Sequence, residues 1–164
     1  MVPIGLDLYL DATKTVASYG HDEAEVGAAR RQYDDTLRAA GLASLVSTEP
    51  DLFASVNVTV QVGYWRKANQ VFAWFERALG EIENCKDATV SRGQIVQLAA
   101  DCIAVLTDHD RAEVLLPTQS GFFFGSIEYD QWYFSDLEET VAMLDRILDN
   151  PELDDAEFTF RAWW

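Results

Sequence analysis

Ser55-Val-Asn-Val-Thr-Val-Gln-Val62 runs directly into Gly63-Tyr-Trp-Arg-Lys-Ala-Asn-Gln-Val-Phe-Ala-Trp-Phe75, and the change of period between them decides the fold class. Val56, Val58, Val60 and Val62 alternate with Ser55, Asn57, Thr59 and Gln61, which is the two-residue repeat of a strand. Gly63 reads as the end of that strand. From Trp65 to Leu79 the repeat becomes helical, with Trp65, Ala68, Phe72, Phe75 and Leu79 on one stripe and Gly80 after it.

The same two periods recur on both sides. Leu6, Leu8 and Leu10 alternate with Asp7, Tyr9 and Asp11, predicting a strand, and Thr15–Tyr19 reads as a second one beyond a turn at 11–14. Val26, Ala29, Tyr33, Leu37 and Ala40 fall at helical spacing over 22–40, with Gly41 as the stop. Residues 42–52 read as loop. Downstream, Ser91 and Gln94 form a capping box that opens a helix to about Leu106, and Ser135 and Glu138 suggest another that opens a helix over 136–148. The aromatic and Gly-containing stretch 115–134 lacks a helical period and reads as loop with one short strand. Phe158, Phe160, Ala162 and Trp164 alternate with polar and aromatic partners, predicting a terminal strand. Without a regular βαβ rhythm, the expectation is a single α+β domain over 1–164. It has a small, mostly antiparallel sheet packed by about four helices, with strands at both termini that lie side by side.

Twelve Lys and Arg against 28 Asp and Glu give a net charge of -16 over 164 residues. Half of the chain is hydrophobic, so this is a folded acidic protein and not a disordered acidic tail. Direct nucleic-acid binding is disfavoured, because phosphate contacts need Lys and Arg, and an anionic membrane surface is disfavoured for the same reason. No signal-peptide pattern or membrane-length apolar run is visible, and the two cysteines, Cys85 and Cys102, have no Cys-x-x-Cys partner. The expected location is the cytoplasm, with both thiols reduced. The charge is uneven. Residues 51–100 balance 5 acids with 5 bases, whereas residues 101–164 carry 15 acids and 3 bases.

Catalytic signatures are absent: no phosphate-binding Gly loop, no nucleophile elbow, and only two histidines, His21 and His109, each in an acidic setting. Asp108-His109-Asp110 lacks the further His or Cys that would complete a metal shell, so no metal or other cofactor is expected. Two segments remain. In the first, Lys67, Gln70, Trp74 and Arg77 are expected opposite the buried stripe, which makes Trp74 an anchor for a partner or a neighbouring segment. Arg66 and Asn69 present donors to an anion. In the second, Gly121 and Gly125 bracket three phenylalanines, with Thr118, Ser120 and Ser126 as short polar groups beside them. That composition suits a small-ligand pocket, and also the commoner use, a structural loop that inserts Phe122 or Phe124 into the core.

Gly5-Leu-Asp-Leu-Tyr-Leu, Gly63-Tyr-Trp-Arg-Lys-Ala-Asn-Gln, the Val90-Ser-Arg helix start and Leu116-Pro-Thr-Gln-Ser-Gly-Phe-Phe-Phe-Gly-Ser-Ile-Glu-Tyr-Asp130 resemble a family of small acidic proteins encoded by bacteriophages and prophage-bearing bacteria. The resemblance spans most of residues 4–148 and is weakest over 11–52. It implies an origin and no particular reaction. Val71-Phe72 stands where relatives tend to carry an Ile-His pair, which weakens an enzyme reading.

Two functions follow as expectations. One is an interaction protein that engages a basic surface on a host protein, such as a defence or nucleic-acid-binding factor. Its contacts would be Trp74 and the acidic groups Glu128, Asp130, Asp136, Glu138, Glu139, Asp145 and Asp149. The alternative is a nucleotide-like ligand site, or an enzyme, built from Tyr64, Arg66, Asn69, Thr118 and Ser120. It requires the helix start and the Gly-flanked loop to be adjacent in space.

Overall fold

The computed structural model describes residues 5–46 and 53–164. One four-stranded antiparallel sheet carries five α-helices, with strands at both ends of the described chain. The strands are β1 (Asp7–Ala17), β2 (Ser55–Arg66), β3 (Asp87–Val90) and β4 (Glu157–Trp163), in the spatial order β2-β1-β4-β3. The first and last strands are therefore neighbours, as expected from the sequence. β3 was not foreseen. It is four residues long, pairs antiparallel with β4, and places Val90 opposite Phe158.

The helices are α1 (Glu23–Ala39), α2 (Asn69–Leu79), α3 (Arg92–Thr107), the single turn α4 (Ala112–Leu115) and α5 (Gln131–Leu148). Local chemistry accounts for their starts. Asp22 caps α1 by accepting from the backbone N–H groups of Ala24 and Glu25, and the Ser91–Gln94 capping box opens α3. Contacts divide the chain into two compact units, residues 13–59 and the remainder. In the first, Thr13 and Thr59 share a hydroxyl hydrogen bond of 2.8 Å, Thr15 donates to Asn57, and α1 buries Tyr33 and Leu37.

The larger unit holds the main core. Leu6, Leu8 and Leu10 of the β1 segment and Phe158, Phe160 and Ala162 of β4 are almost fully buried, joined by Phe72 and Phe75 of α2 and Leu137 and Leu144 of α5. Phe75 stacks on Phe160 with ring centroids 4.0 Å apart. Burying each of these Leu and Phe side chains is worth roughly 1.5–3 kcal/mol. Trp65 donates its indole N–H to Thr140 Oγ1 at 2.8 Å, so its one polar atom is satisfied in the interior.

Four boundaries differ from the expectations. β1 is one continuous strand where a turn and a second strand at Thr15–Tyr19 were expected. β2 continues through Gly63 to Arg66, because Gly63 allows close packing here: a Cβ at this position would lie 2.7 Å from Met143 Sδ and 3.0 Å from Leu10 Cβ. α2 consequently begins at Asn69 and not at Trp65. α5 begins at Gln131, capped by Asp130, five residues ahead of the expected start. No strand forms over 115–134. Part of the expected loop 42–52 lies outside the described residues, and Ala43–Leu45 form one 3-10 turn.

Candidate functional site

The end of β2 delivers Arg66 and Lys67 to the start of α2. Lys67 has a left-handed backbone, φ 60°, uncommon for a residue with a side chain, and it packs against Gly125. Gly125 itself has φ 89°, and a Cβ there would approach Lys67 Cβ to 3.1 Å. This close approach of two left-handed residues fixes the Gly-flanked loop against the start of the helix. Asn69 secures it. The residue is 1% exposed, and its amide nitrogen donates to the carbonyls of Phe124 (3.0 Å) and Ser126 (2.8 Å). Its amide oxygen accepts from the Gln119 N–H at 2.9 Å.

Beside this clasp lies a cleft of about 230 Å³. Arg66 and Lys67 line it from the β2–α2 junction, Gln70 from α2, Gly125, Ser126 and Glu128 from the loop, and Trp132 and Asp136 from α5. Asp130 also borders it, but its carboxylate is engaged in capping α5 through the N–H groups of Trp132 and Tyr133. Asp136 accepts a 3.0 Å hydrogen bond from Gln70 Nε2. Burial is the main influence on its carboxyl and pushes its pKa up, with nearby Glu139 and Asp130 adding to the shift and the Gln70 bond opposing it. Trp132 is 70% exposed, an aromatic face open to solvent at the rim. Lys67 Nζ makes no ion pair among the described residues, whereas Arg66 lies 3.7 Å from Asp7.

The residues expected to form a ligand pocket are only partly available to one. Arg66 lines the cleft. Tyr64 donates its hydroxyl to Asp7 at 2.5 Å, and that bond together with burial raises its pKa. Thr118 gives its hydroxyl to the Ile127 carbonyl, and Ser120 is exposed on the loop. Asn69 does bring helix and loop together, but its side chain is consumed in doing so and faces no ligand. The first correction is therefore that Asn69 is a clasp and not a ligand donor.

Of the two roles expected for Trp74, it takes the one toward a neighbouring segment: it is 5% exposed, donates its indole N–H to Asp101 on α3 at 2.8 Å, and offers no open face to a partner. Residues 69–75 are all buried, Gln70 included, so α2 has no open outer face in its first two turns. Arg77 is likewise tied down, donating to the backbone carbonyls of Val114 and Leu115.

The acidic residues divide in two. Glu128, Asp130 and Asp136 border the cleft, while Glu138, Glu139, Asp145 and Asp149 are exposed on or just beyond α5, with Arg146 the one base among them. Trp132, Asp136 and Glu139 share one side of the helix by their spacing of four and three. The exposed tryptophan of this region is instead Trp132, 58 residues further along the chain. The missing signal was the helix start: an N-cap at Asp130 puts Trp132 in the first turn. Elsewhere, His109 stacks on Phe134 with centroids 3.8 Å apart. Cys85 is exposed and Cys102 buried, both as free thiols.

Among the described residues no helix is long and apolar enough to cross a membrane. No protein-family model matches this chain, and neither a curated protein nor a solved structure matches it at a significant level.

Proposed function

We propose that this chain is an acidic interaction protein of the phage type suggested by its sequence. Its binding surface is the open face of α5 together with the cleft at the helix's N-terminal end. The observation that carries this reading is Trp132, 70% exposed beside Asp136 and Glu128. A large aromatic side chain left in water among carboxylates is the chemistry that receives Lys or Arg, through cation–π contact and charge together. Glu138, Glu139, Asp145 and Asp149 extend the same sign of charge along the helix and steer a basic host protein toward it.

The test is capture from a bacterial host lysate at about physiological salt, where exposed charges further apart than about 8 Å are largely screened. Wild type, Trp132→Ala and a Glu138→Lys/Glu139→Lys double variant are compared. A basic protein retained by wild type and lost from both variants supports the proposal. Retention that ignores Trp132, or no retained basic protein, overturns it.

A second reading is favoured by Lys67. Two cations, an open aromatic ring and the Gln70–Asp136 pair in one cleft also suit a nucleotide-like ligand, with phosphate at Arg66 and Lys67 and a base on Trp132. A retained small molecule seen by native mass spectrometry, released by Lys67→Ala, distinguishes this reading from the first.

A further inference from the structure

The cleft beside the Asn69 clasp holds charges of both signs that do not neutralise each other. Lys67 makes no ion pair among the described residues, and neither does Glu128, although both line the cleft. The Asp136 carboxylate accepts from the neutral amide of Gln70 and has no cation within ion-pair distance among the described residues. Lys67 is also confined. A Cβ at Gly125 would come within 3.1 Å of its Cβ, and one at Gly5 within 3.6 Å of its Cε, so its stem runs along two glycines. That confinement lowers the entropy lost when the ammonium meets a ligand. A cation entering alone meets Arg66 and Lys67, and an anion entering alone meets Glu128 and Asp136. A group that bears both charges complements the whole lining. Building on the basic partner proposed above, we propose that the cleft reads that partner's C-terminal residue, a Lys or Arg. Its side chain rests on Trp132 beside Glu128 and Asp136, and its terminal carboxylate meets Arg66 and Lys67.

Three observations select a chain terminus as the occupant. The first is charge complementarity of both signs. The bases come together from the β2–α2 junction, whereas the acids come from the loop and α5, so each sign has its own place in the lining. The second is size. At about 230 Å³ the cleft lies below the roughly 300–1,000 Å³ of sites that enclose a drug-sized ligand. An internal Lys–Asp pair would bring two side chains and a backbone continuing in both directions. A terminal Lys or Arg carries both charges on one residue, and its chain leaves in one direction. The third is donor capacity. A guanidinium has five N–H donors, and the single carboxylate near Arg66, Asp7 at 3.7 Å, does not take them all. Arg66 is 46% exposed and can offer two parallel N–H groups to a carboxylate, with the Lys67 ammonium as the second positive charge. At the other end, the open ring of Trp132 receives the cationic side chain.

The experiment titrates short N-acetylated Gly/Ser peptides into the intact protein and follows the Trp132 indole N–H by NMR. One peptide ends in Arg with a free carboxylate, one in Arg with a C-terminal amide, and one in norleucine with a free carboxylate; free arginine is the fourth probe. Concentrations span about 0.01–10 mM, a range that brackets a contact made by one residue. The Arg acid is expected to shift the signal to saturation, with the amide and the norleucine acid each about tenfold weaker, the loss of one charge-assisted contact. Lys67→Met keeps the stem and removes the charge, so it narrows the advantage of the acid over the amide without weakening the amide. Three results would each overturn the inference: norleucine binding as tightly as arginine, free arginine binding as tightly as the Arg acid peptide, or a Lys67→Met protein that prefers the acid as strongly as wild type. Equal binding of acid and amide, with both lost from Trp132→Ala, overturns the carboxylate contact and leaves the basic-partner reading standing. Failure of the lysate capture removes the basic partner itself, and this inference with it.

Discussion

Replacing Asn69 tests the geometry on which the cleft depends. Its amide group makes three hydrogen bonds, to the Phe124 and Ser126 carbonyls and from the Gln119 N–H, in a position 1% exposed to solvent. Each such bond contributes about 1 kcal/mol net, and buried groups left without partners add to the loss. Asn69→Ala therefore destabilises the protein by about 3 kcal/mol, reduced by a few tenths because Ala is the better helix former. For a chain of this size that lowers the melting midpoint by roughly 6–12 °C. Asn69→Asp discriminates further. It keeps the acceptor for Gln119 but replaces a donor with a carboxylate facing two carbonyl oxygens, so at neutral pH it is worse than Ala. Urea denaturation gives the free energies, and amide exchange locates the effect: the Gln119 N–H exchanges faster in Asn69→Ala, while Leu98 and Cys102 in the middle of α3 keep their wild-type protection. An Asn69→Asp protein as stable as Asn69→Ala, or an Asn69→Ala protein within about 0.5 kcal/mol of wild type, would refute the clasp.

Thr140→Val strands the Trp65 indole N–H in the core and costs about 1–3 kcal/mol, read by urea denaturation together with a changed near-UV tryptophan signal. Burial pushes the Cys102 thiol up to about 12, so in the native protein only Cys85 reacts with a thiol reagent, and the second equivalent appears on unfolding. Asp136, with its pKa raised by burial, favours the fold most below the ordinary aspartate value of 3.8 and loses that contribution as pH rises through its raised value. Asp136→Asn keeps an acceptor for Gln70 and removes this pH dependence. The wild-type minus variant stability difference, measured by urea denaturation, should therefore fall as pH rises, and a flat difference counts against the assignment.

Elements whose signals are local were legible in the sequence. The Ser91 capping box, the Asp22 start of α1 and the alternation Phe158-x-Phe160-x-Ala162 each carry their own stereochemistry. Where the reading failed, a tertiary contact outweighed a local rule. Gly63 looks like a breaker, but its missing Cβ is filled by Met143 and Leu10, and that packing carries the strand on to Arg66. Gln70 and Trp74 do lie on the side away from Phe72 and Phe75, but Asp136 of α5 and Asp101 of α3 meet them there, so that side is buried too. Asp130 and Ser135 both carry cap chemistry, and Asp130 prevails because the intervening Trp132 and Tyr133 N–H groups find its carboxylate. The cleft was illegible for a related reason. In the chain, the basic Arg66-Lys67 and the acidic 128–136 stretch lie in different thirds and point to separate sites, and only the Asn69 clasp brings them to one.

On the proposed reading, in which a basic partner docks at the cleft, that meeting makes binding and protonation interdependent at Asp136. The Asp130 carboxylate is engaged at the helix cap, so Glu128 and Asp136 are the cleft acids left to meet a cationic side chain resting on Trp132. In the free protein the Asp136 carboxyl is held above its ordinary value, chiefly by burial. A Lys or Arg placed beside it stabilises the charged form and brings the value back down. Between the two values the group is protonated when free and ionised when bound, so association with a basic partner releases a proton and weakens as pH falls through the raised, free-state value. Calorimetric titration of the captured partner in buffers of different ionisation enthalpy measures that proton directly. Asp136→Asn abolishes the release without abolishing the contact of Trp132, whereas Trp132→Ala weakens binding by about thirtyfold or more, the effect of a hot-spot residue. Proton release of the same size from wild type and Asp136→Asn would place the partner away from the cleft and leave only the outer acids of α5 as its contact.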